Sequence, residues 1–567
     1  MSKRILIVGG VAGGASTAAR VRRIDEFAEI IMFERGPFVS FSNCALPFHL
    51  SGAVKEADDL VLMTPQVFHK QYNIDARVNH EVTEIHPEDK TITVKNVLTG
   101  EEKVEAYDEL MLSPGANPIL PKSIKGIGSD HVFTVRNVPD IDSIKKYIDT
   151  NNINDVVVVG AGFIGIEVAE NLQMAGKNVT IVEAADQVMA PFDYDMAQIL
   201  HKEIIDNDVT LILEDGVQEI FSDRVVLASG REVPAKAVIM AIGVTPEISL
   251  AKSAGLEIGV TGGIKVNHHY QTSAPHVYAV GDAIEVTHFI TQKPTRLTLA
   301  GPAQRQARAA ADHMYGKTYR NTGVIGSSVI QCFEMNAAST GLNEKDCQRE
   351  GIAYQTAYVI PKDKVGLMPN ARPLFFKLIF ADPSGQILGA QAMGEGNVDK
   401  RIDVIATMIM NHANLEDLKE LELSYSPMFG TAKDVVNMAA LVGLNVLNGE
   451  YKQVPVTEIR DLVENDAFII DAREPHEFAE GHIRNAVSIP FSEFRERLDE
   501  IPTDKPVYVH CLSSQRSYNM VKALQMRGFN NVSNLMGSFL GLCMYEYYND
   551  QNLKREPLVT KYRFDLL

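Results

Sequence analysis

Two cysteines stand where sulfur chemistry is possible. Cys44 lies in VSFSNCALPFHL with no second cysteine within reach along the chain. A lone thiol of this kind can become a sulfenic acid, form a mixed disulfide with a small thiol, or serve only as a buried structural group. Cys511 lies in PVYVHCLSSQRSYNMVKAL, which reads as a strand, a loop from Cys511 to Arg516, and a helix. Backbone N–H groups curling around a thiol at a helix N-terminus, with Arg516 adding positive charge, favour a thiolate and a persulfide anion. The other cysteines, Cys332, Cys347 and Cys543, sit in no motif and read as structural.

Two strand–glycine–helix segments must position these thiols. The first, RILIVGGVAGGASTAARVRR, places Gly9, Ala12 and Gly14 at the outer positions of a dinucleotide fingerprint. Val11 stands where a second glycine usually lets backbone approach a pyrophosphate, and Gly10 and Gly13 are expected to compensate. Glu34 ends the next strand, EIIMFE, where an acid commonly meets an adenosine ribose. The second segment, DVVVVGAGFIGIEVAENLQMAGKNVTIVEAADQV, has Gly160, Gly162 and Gly165 in full register and Glu183 ending the following strand. Two such units predict two bound dinucleotides, FAD in one and a nicotinamide dinucleotide in the other. Glu183 with no arginine immediately after it would repel a 2'-phosphate and favours NADH over NADPH. In the first helix Arg20 and Arg23 lie three apart, close to one face, where they suit an anionic ligand.

Length and charge bound the rest. A chain of 567 residues exceeds one hydrophobic core and implies several domains. The formal charge of −19 argues against a general nucleic-acid partner. No apolar run is long enough for a transmembrane span. Few cysteines and an N-terminus without a signal-peptide pattern suggest a cytoplasmic protein.

TSAPHVYAVGDAI resembles the second flavin motif of the flavin disulfide reductases, which gives FAD to the first glycine segment with Asp282 toward the flavin. LMLSPGANP and VIMAIGVTPE resemble their linker motifs, with Ser113-Pro114 replacing a common Ala-Thr. Together with SFSNCALPF and YSPMFGTAKDVVN these stretches resemble, in order and spacing, the coenzyme A disulfide reductase family. The similarity extends to its longer form with a C-terminal rhodanese domain, which includes coenzyme A persulfide reductases. DAREPHEF and GHIRNA resemble the start of such a domain, with Asp471, Arg473, Glu477 and His482 in their usual places and Gly537-Ser538 where two glycines are typical.

The resemblance implies an α/β fold with two Rossmann-like dinucleotide-binding domains, an α+β dimerisation domain and a C-terminal α/β rhodanese domain. Its boundaries fall at 1–120 with 273–325 for FAD, 121–272 for NAD(P)H, 326–448 for dimerisation and 449–567 for the rhodanese domain. It implies a homodimer using FAD, NADH or NADPH, and coenzyme A, and acting on small thiol, persulfide or disulfide substrates, with neither nucleic acid nor membrane as partner. Flavin contacts are expected from Gly9, Ala12, Gly14, Glu34, Arg35, Gly115, Gly281, Asp282, Pro302 and Ala303, and nicotinamide dinucleotide contacts from Gly160, Gly162, Gly165, Glu183 and Gly243. No metal site is implied.

Position 49 is His49, so the dithiol of related reductases cannot form and coenzyme A would bring the missing sulfur to Cys44. Ser16, Arg20, Arg23, Ser40, Asn43 and Lys433 match coenzyme A contacts, while a lysine expected near 72 is Tyr72, with Lys70 close by. Tyr425 matches a proton donor from the partner subunit, and Leu367-Met368 replaces a tyrosine pair. Cys511 would relay persulfide sulfur. Two other activities fit the same residues: an NADH oxidase or peroxidase using a Cys44 sulfenic acid, and a thiosulfate-type sulfurtransferase.

Overall fold

The computed structural model describes residues 2–319 and 321–566. It divides into two compact units, Met1–Ala184 with Ile212–Val324, and Ala185–Leu211 with Ile325–Leu567.

The first unit is built on two parallel sheets. RILIV forms β1 (Arg4–Val8), whose Ile5, Leu6 and Ile7 are fully buried, as befits a strand covered on both faces. It runs parallel to β2 (Glu29–Glu34) on one side and Glu109–Leu112 on the other, and Val277–Ala279 and Asp75–Val78 complete the sheet. The crossover from β1 to β2 is helix α1 (Ala12–Ile24). In the second sheet β3 (Asp155–Val159) pairs in parallel with β4 (Asn178–Val182) and with Ala237–Met240. Helix α2 (Phe163–Met174) links β3 to β4. Helix α3 (Ala300–Met314) packs on α1, burying a stripe of small residues that includes Ala303, Ala307 and Ala310.

The second unit also contains two sheets. Five antiparallel strands run in the order Ser328–Cys332, Met335–Gly341, Ile387–Gly394, Phe375–Ala381 and Tyr354–Val359, backed by the apolar helix α4 (Val435–Leu447). The C-terminal sheet is parallel, with β5 (Phe468–Asp471), β6 (Val507–His510) and β7 (Val532–Leu535) flanked by Lys452–Val454 and Val487–Ser488. Helix α5 (Gln515–Gln525) follows β6 and α6 (Ser538–Leu553) follows β7.

One helix sits apart from its sequence neighbours. Tyr194–Asp206, inside the stretch expected to bind NAD(P)H, belongs to the second unit. Asp193 and Asp195, with Glu344, surround the buried Lys377 ammonium, at 3.2 Å from Asp193 and 2.8 Å from Asp195. A lysine thus fills the place among these three carboxylates that a cation would otherwise take.

Candidate active site

Both glycine turns are closed too tightly for a side chain where the helix start meets the strand. Gly9 adopts φ 93°, and a methyl there would stand 2.1 Å from the Ser113 carbonyl oxygen. One on Gly14 would lie 1.8 Å from the Gly9 oxygen, so α1 can begin this close to β1 only with glycine. Gly10 and Gly13 are held by packing: their methyls would meet Val39 at 2.6 Å and the Ser113 hydroxyl at 2.4 Å. Glu34 accepts the Gly10 N–H at 3.0 Å and the Gly36 N–H at 2.9 Å. The second turn repeats the construction, with Gly160 at φ 102°, a Gly165 methyl 2.0 Å from the Gly160 oxygen, and Glu183 accepting the Ala161 N–H at 2.8 Å. Gly162 faces open space where the first loop has Val11, so the two turns differ at this point.

Further features fit bound dinucleotides. Gly115, Gly243 and Gly281 are all left-handed, and the Gly281 N–H is held at 2.8 Å by Gln306. Asp282 follows in a buried turn, its carboxyl pushed up to about 6 by burial, so a hydroxyl-bearing ligand would find a desolvated acceptor there. Ala303 is buried and Pro302 half-buried in the first turn of α3, whereas Arg35 is half-exposed, 3.9 Å from Glu81. Glycine-closed helix starts with a buried carboxylate suit the phosphates and hydroxyls of FAD and a pyridine nucleotide.

Cys44 sits in the short turn Asn43–Ala45, exposed like Asn43. Protein density around the thiol still makes desolvation the largest influence, and with the negative charge of Glu167, then Asp282, it pushes the thiol up. Glu167, on α2, is itself raised to about 7 by burial and by Glu170. Nothing in FIGIEVAENLQM distinguishes this glutamate from an ordinary helix residue. His49 is buried and its Nδ1 lies 2.9 Å from the Val54 carbonyl, which fixes the ring to backbone at the position of the absent second cysteine.

α1 and α3 form a pocket of about 510 Å³. Ser16, Arg20, Arg23 and Ser40 line it together, as does Tyr72; Asn43 and Lys70 are not among its lining residues. Arg305 and Arg308 of α3 add two guanidiniums that sequence reading did not single out. Their signal was the same three-residue spacing seen in Arg20 and Arg23. Arg20 is already engaged, donating from Nε to Asp312 at 2.7 Å. Arg23, Arg305 and Arg308 make no ion pair among the described residues. Arg22, between the pocket arginines, is buried and donates to the carbonyls of Tyr72, Ala28 and Asn73, each at 2.8 Å.

In the second unit Cys511 is 2% exposed at the end of β6. Ser517, in the first turn of α5, directs its hydroxyl to Sγ at 3.6 Å. Arg516 donates to both carboxylate oxygens of Glu477, at 2.6 and 2.8 Å, which holds Glu477 below the usual carboxylate range and offsets the positive charge that the loop was expected to carry. Beneath the loop Asp471 and Arg473 form a buried pair at 2.7 Å. Burial alone would raise Asp471, but His510 and Arg473 outweigh it and hold the carboxyl low. His482 stacks on Phe478 at 3.8 Å. The remaining cysteines, Cys332, Cys347 and Cys543, are buried, and burial pushes the last two up to about 12. Tyr425, Lys433 and Leu367 are exposed on loops of this unit.

Comparison with known proteins agrees with this architecture. The pyridine nucleotide-disulphide oxidoreductase family matches residues 3–307, its dimerisation domain residues 328–434, and the rhodanese-like domain residues 455–544. A coenzyme A disulfide reductase of Staphylococcus haemolyticus is 33% identical over 437 residues, 77% of this chain and 98% of that protein. Among solved structures, reduced Bacillus anthracis CoADR-RHD is 47% identical with a TM-score of 0.93, covering 96% of this chain and 99% of that one. A NAD-dependent persulfide reductase from A. fulgidus is 33% identical with a TM-score of 0.90, covering 95% and 99%.

Proposed function

This chain belongs to the pyridine nucleotide-disulphide oxidoreductases, with coenzyme A disulfide reductases as relatives and a rhodanese-like domain at its C-terminus, and from that premise we propose that it reduces sulfur carried on coenzyme A. The observation that carries this reading is the pocket with four arginines, whose wall includes Ser40 shortly before the lone Cys44. FAD and a pyridine nucleotide, when bound, supply two electrons per sulfur–sulfur bond.

The chain's own residues do the rest. Arg23, Arg305 and Arg308 hold the phosphates of coenzyme A. The Cys44 thiolate attacks the carbon-bound sulfur of coenzyme A persulfide, the terminal S–S bond breaks, and hydrosulfide leaves with the electron pair. The resulting Cys44–coenzyme A disulfide takes up two electrons and a proton and opens to the Cys44 thiolate and coenzyme A thiol. Coenzyme A disulfide follows the same course with coenzyme A thiolate as the leaving group. Glu167, titrating near 7, is suited to exchange a proton with the Cys44 sulfur. Cys511 carries sulfane sulfur from a donor toward coenzyme A, and Tyr425 and Lys433 serve the partner subunit's site in a homodimer.

The test compares Cys44→Ser and Cys511→Ser in NAD(P)H-dependent sulfide release, with mass spectrometry of the purified protein. A coenzyme A adduct on Cys44, loss of release in Cys44→Ser, and a Cys511→Ser defect greater with an inorganic sulfane donor than with coenzyme A persulfide are expected. Sulfide release undiminished in Cys44→Ser, or fast peroxide turnover without added thiol, would overturn the reading.

A further inference from the structure

Two serines beneath Cys511 occupy backbone that serine rarely adopts. Ser514 has φ 77° and Ser538 φ 51°, in the left-handed region where glycine carries no steric cost. Ser538 is also fully buried. Their hydroxyls meet at 3.0 Å, and the Ser514 hydroxyl donates to the Leu535 carbonyl at 3.2 Å. The Ser538 oxygen accepts the Cys511 N–H at 3.2 Å. From the next two residues of α6, Phe539 N–H donates to the Cys511 carbonyl and Leu540 N–H to the Leu512 carbonyl, each at 3.0 Å. The Cys511 backbone is thus gripped at both its N–H and its C=O by the first turn of α6. Only the N–H contact depends on a side chain, which glycine at 538 could not supply. Strained backbone retained around a reactive group points to a function for what the strain holds in place.

We propose that Ser538 is a positioning residue for sulfur transfer: its hydroxyl fixes the Cys511 peptide so that the thiolate meets its sulfur donor along a productive line. Ser517 touches the sulfur itself; Ser538 acts through the backbone of Cys511. This rests on Cys511 being the sulfur-carrying nucleophile. In the reaction it serves, the Cys511 thiolate attacks the outer sulfur of thiosulfate, the S–S bond breaks, and sulfite leaves with the electron pair. Cyanide then takes the sulfane sulfur as thiocyanate and regenerates the thiolate.

The full-length holoenzyme, assayed with thiosulfate and cyanide, tests this with Ser538→Gly, Ser538→Ala, Ser514→Ala and Cys511→Ser, alongside thermal unfolding. Ser538→Gly is expected to lose about ten-fold in kcat with KM for thiosulfate unchanged, while Tm holds or rises because glycine relieves the left-handed backbone. Ser538→Ala should lose as much in kcat with a lower Tm, and Ser514→Ala, which removes the supporting hydroxyl, should show a smaller loss. A merely structural serine would make kcat and Tm fall together in Ser538→Gly. Wild-type kcat in Ser538→Gly, or activity and Tm falling in step in that same variant, with Cys511→Ser inactive, would overturn the role of Ser538 alone. Transfer persisting in Cys511→Ser would overturn the sulfur-carrier reading and this proposal with it.

Discussion

Arg23→Ala and Arg308→Ala should each weaken the use of coenzyme A disulfide while leaving pantethine disulfide, which lacks the nucleotide phosphates, unaffected. Both guanidiniums line the pocket without an ion pair of their own among the described residues, so each is available to a phosphate. A hydrogen bond to a charged group contributes about 1.5–3 kcal/mol, and an open pocket favours the lower end. At about 1.4 kcal/mol per decade, KM should rise roughly ten-fold for each variant. Arg20 behaves differently, because its partner Asp312 lies 2.7 Å away and is only 11% exposed. Arg20→Ala removes a cation and also uncovers a carboxylate that repels the phosphates, so its loss should exceed that of Arg23→Ala. Asp312→Asn releases Arg20 and should lower KM. The assay is steady-state NAD(P)H oxidation with each disulfide at two ionic strengths, with the coenzyme A effects shrinking at high salt. Equal losses on both disulfides, or a raised KM in Asp312→Asn, would refute the assignment of this pocket to phosphates.

Two other expectations concern buried charge. Glu167→Gln removes the carboxylate that, after desolvation, raises the Cys44 thiol, so alkylation of Cys44 by iodoacetamide at neutral pH should accelerate. Glu167 is raised to about 7 from an ordinary 4.5, so folding takes up a proton between those values and its stabilising effect is lost as pH rises through 7. The same variant should therefore gain in Tm relative to the parent at pH 8 more than at pH 4. Lys377→Met leaves Asp193, Asp195 and Glu344 without their cation and should cost about 3–5 kcal/mol in denaturant unfolding. That loss should be smaller at acid pH, because burial pushes the Asp193 carboxyl up to about 6 and its charge is then lost; a pH-independent loss would point to packing instead.

What the sequence revealed was local. Gly9, Gly14, Gly160 and Gly165 announce themselves because a strand, a turn and a helix lie side by side in the chain, and the loop after Cys511 is legible for the same reason. Arg20 and Arg23 share one helix turn and could be paired on paper. Arg305 and Arg308 show the same three-residue spacing, but they reach this pocket only because α3 packs on α1, and nothing in either helix announces that packing. Glu167 was invisible for a related reason: its effect on Cys44 arises from the meeting of two segments distant in sequence. Ser538 was noticed as a departure from two glycines, yet its contact with the Cys511 N–H depends on β7 lying beside β6 in the parallel sheet. Arg516 was read as adding positive charge beside Cys511, and its charge does act there; its ion pair with Glu477 was hidden because Glu477 belongs to another helix.

The placement of Tyr194–Asp206 has a consequence for how this protein can be divided. Ring contacts join His201 to Tyr548 of α6 at 4.8 Å, and the Tyr548 hydroxyl donates to the Leu211 carbonyl at 3.2 Å, so the C-terminal rhodanese-like domain rests on a segment encoded far upstream. A fragment starting at Ile325 would keep Lys377 and Glu344 but lose Asp193 and Asp195, together with the surface that covers Tyr548. The rhodanese-like tail is therefore not a detachable cassette, and swapping it among relatives calls for transplanting Ala185–Leu211 along with it.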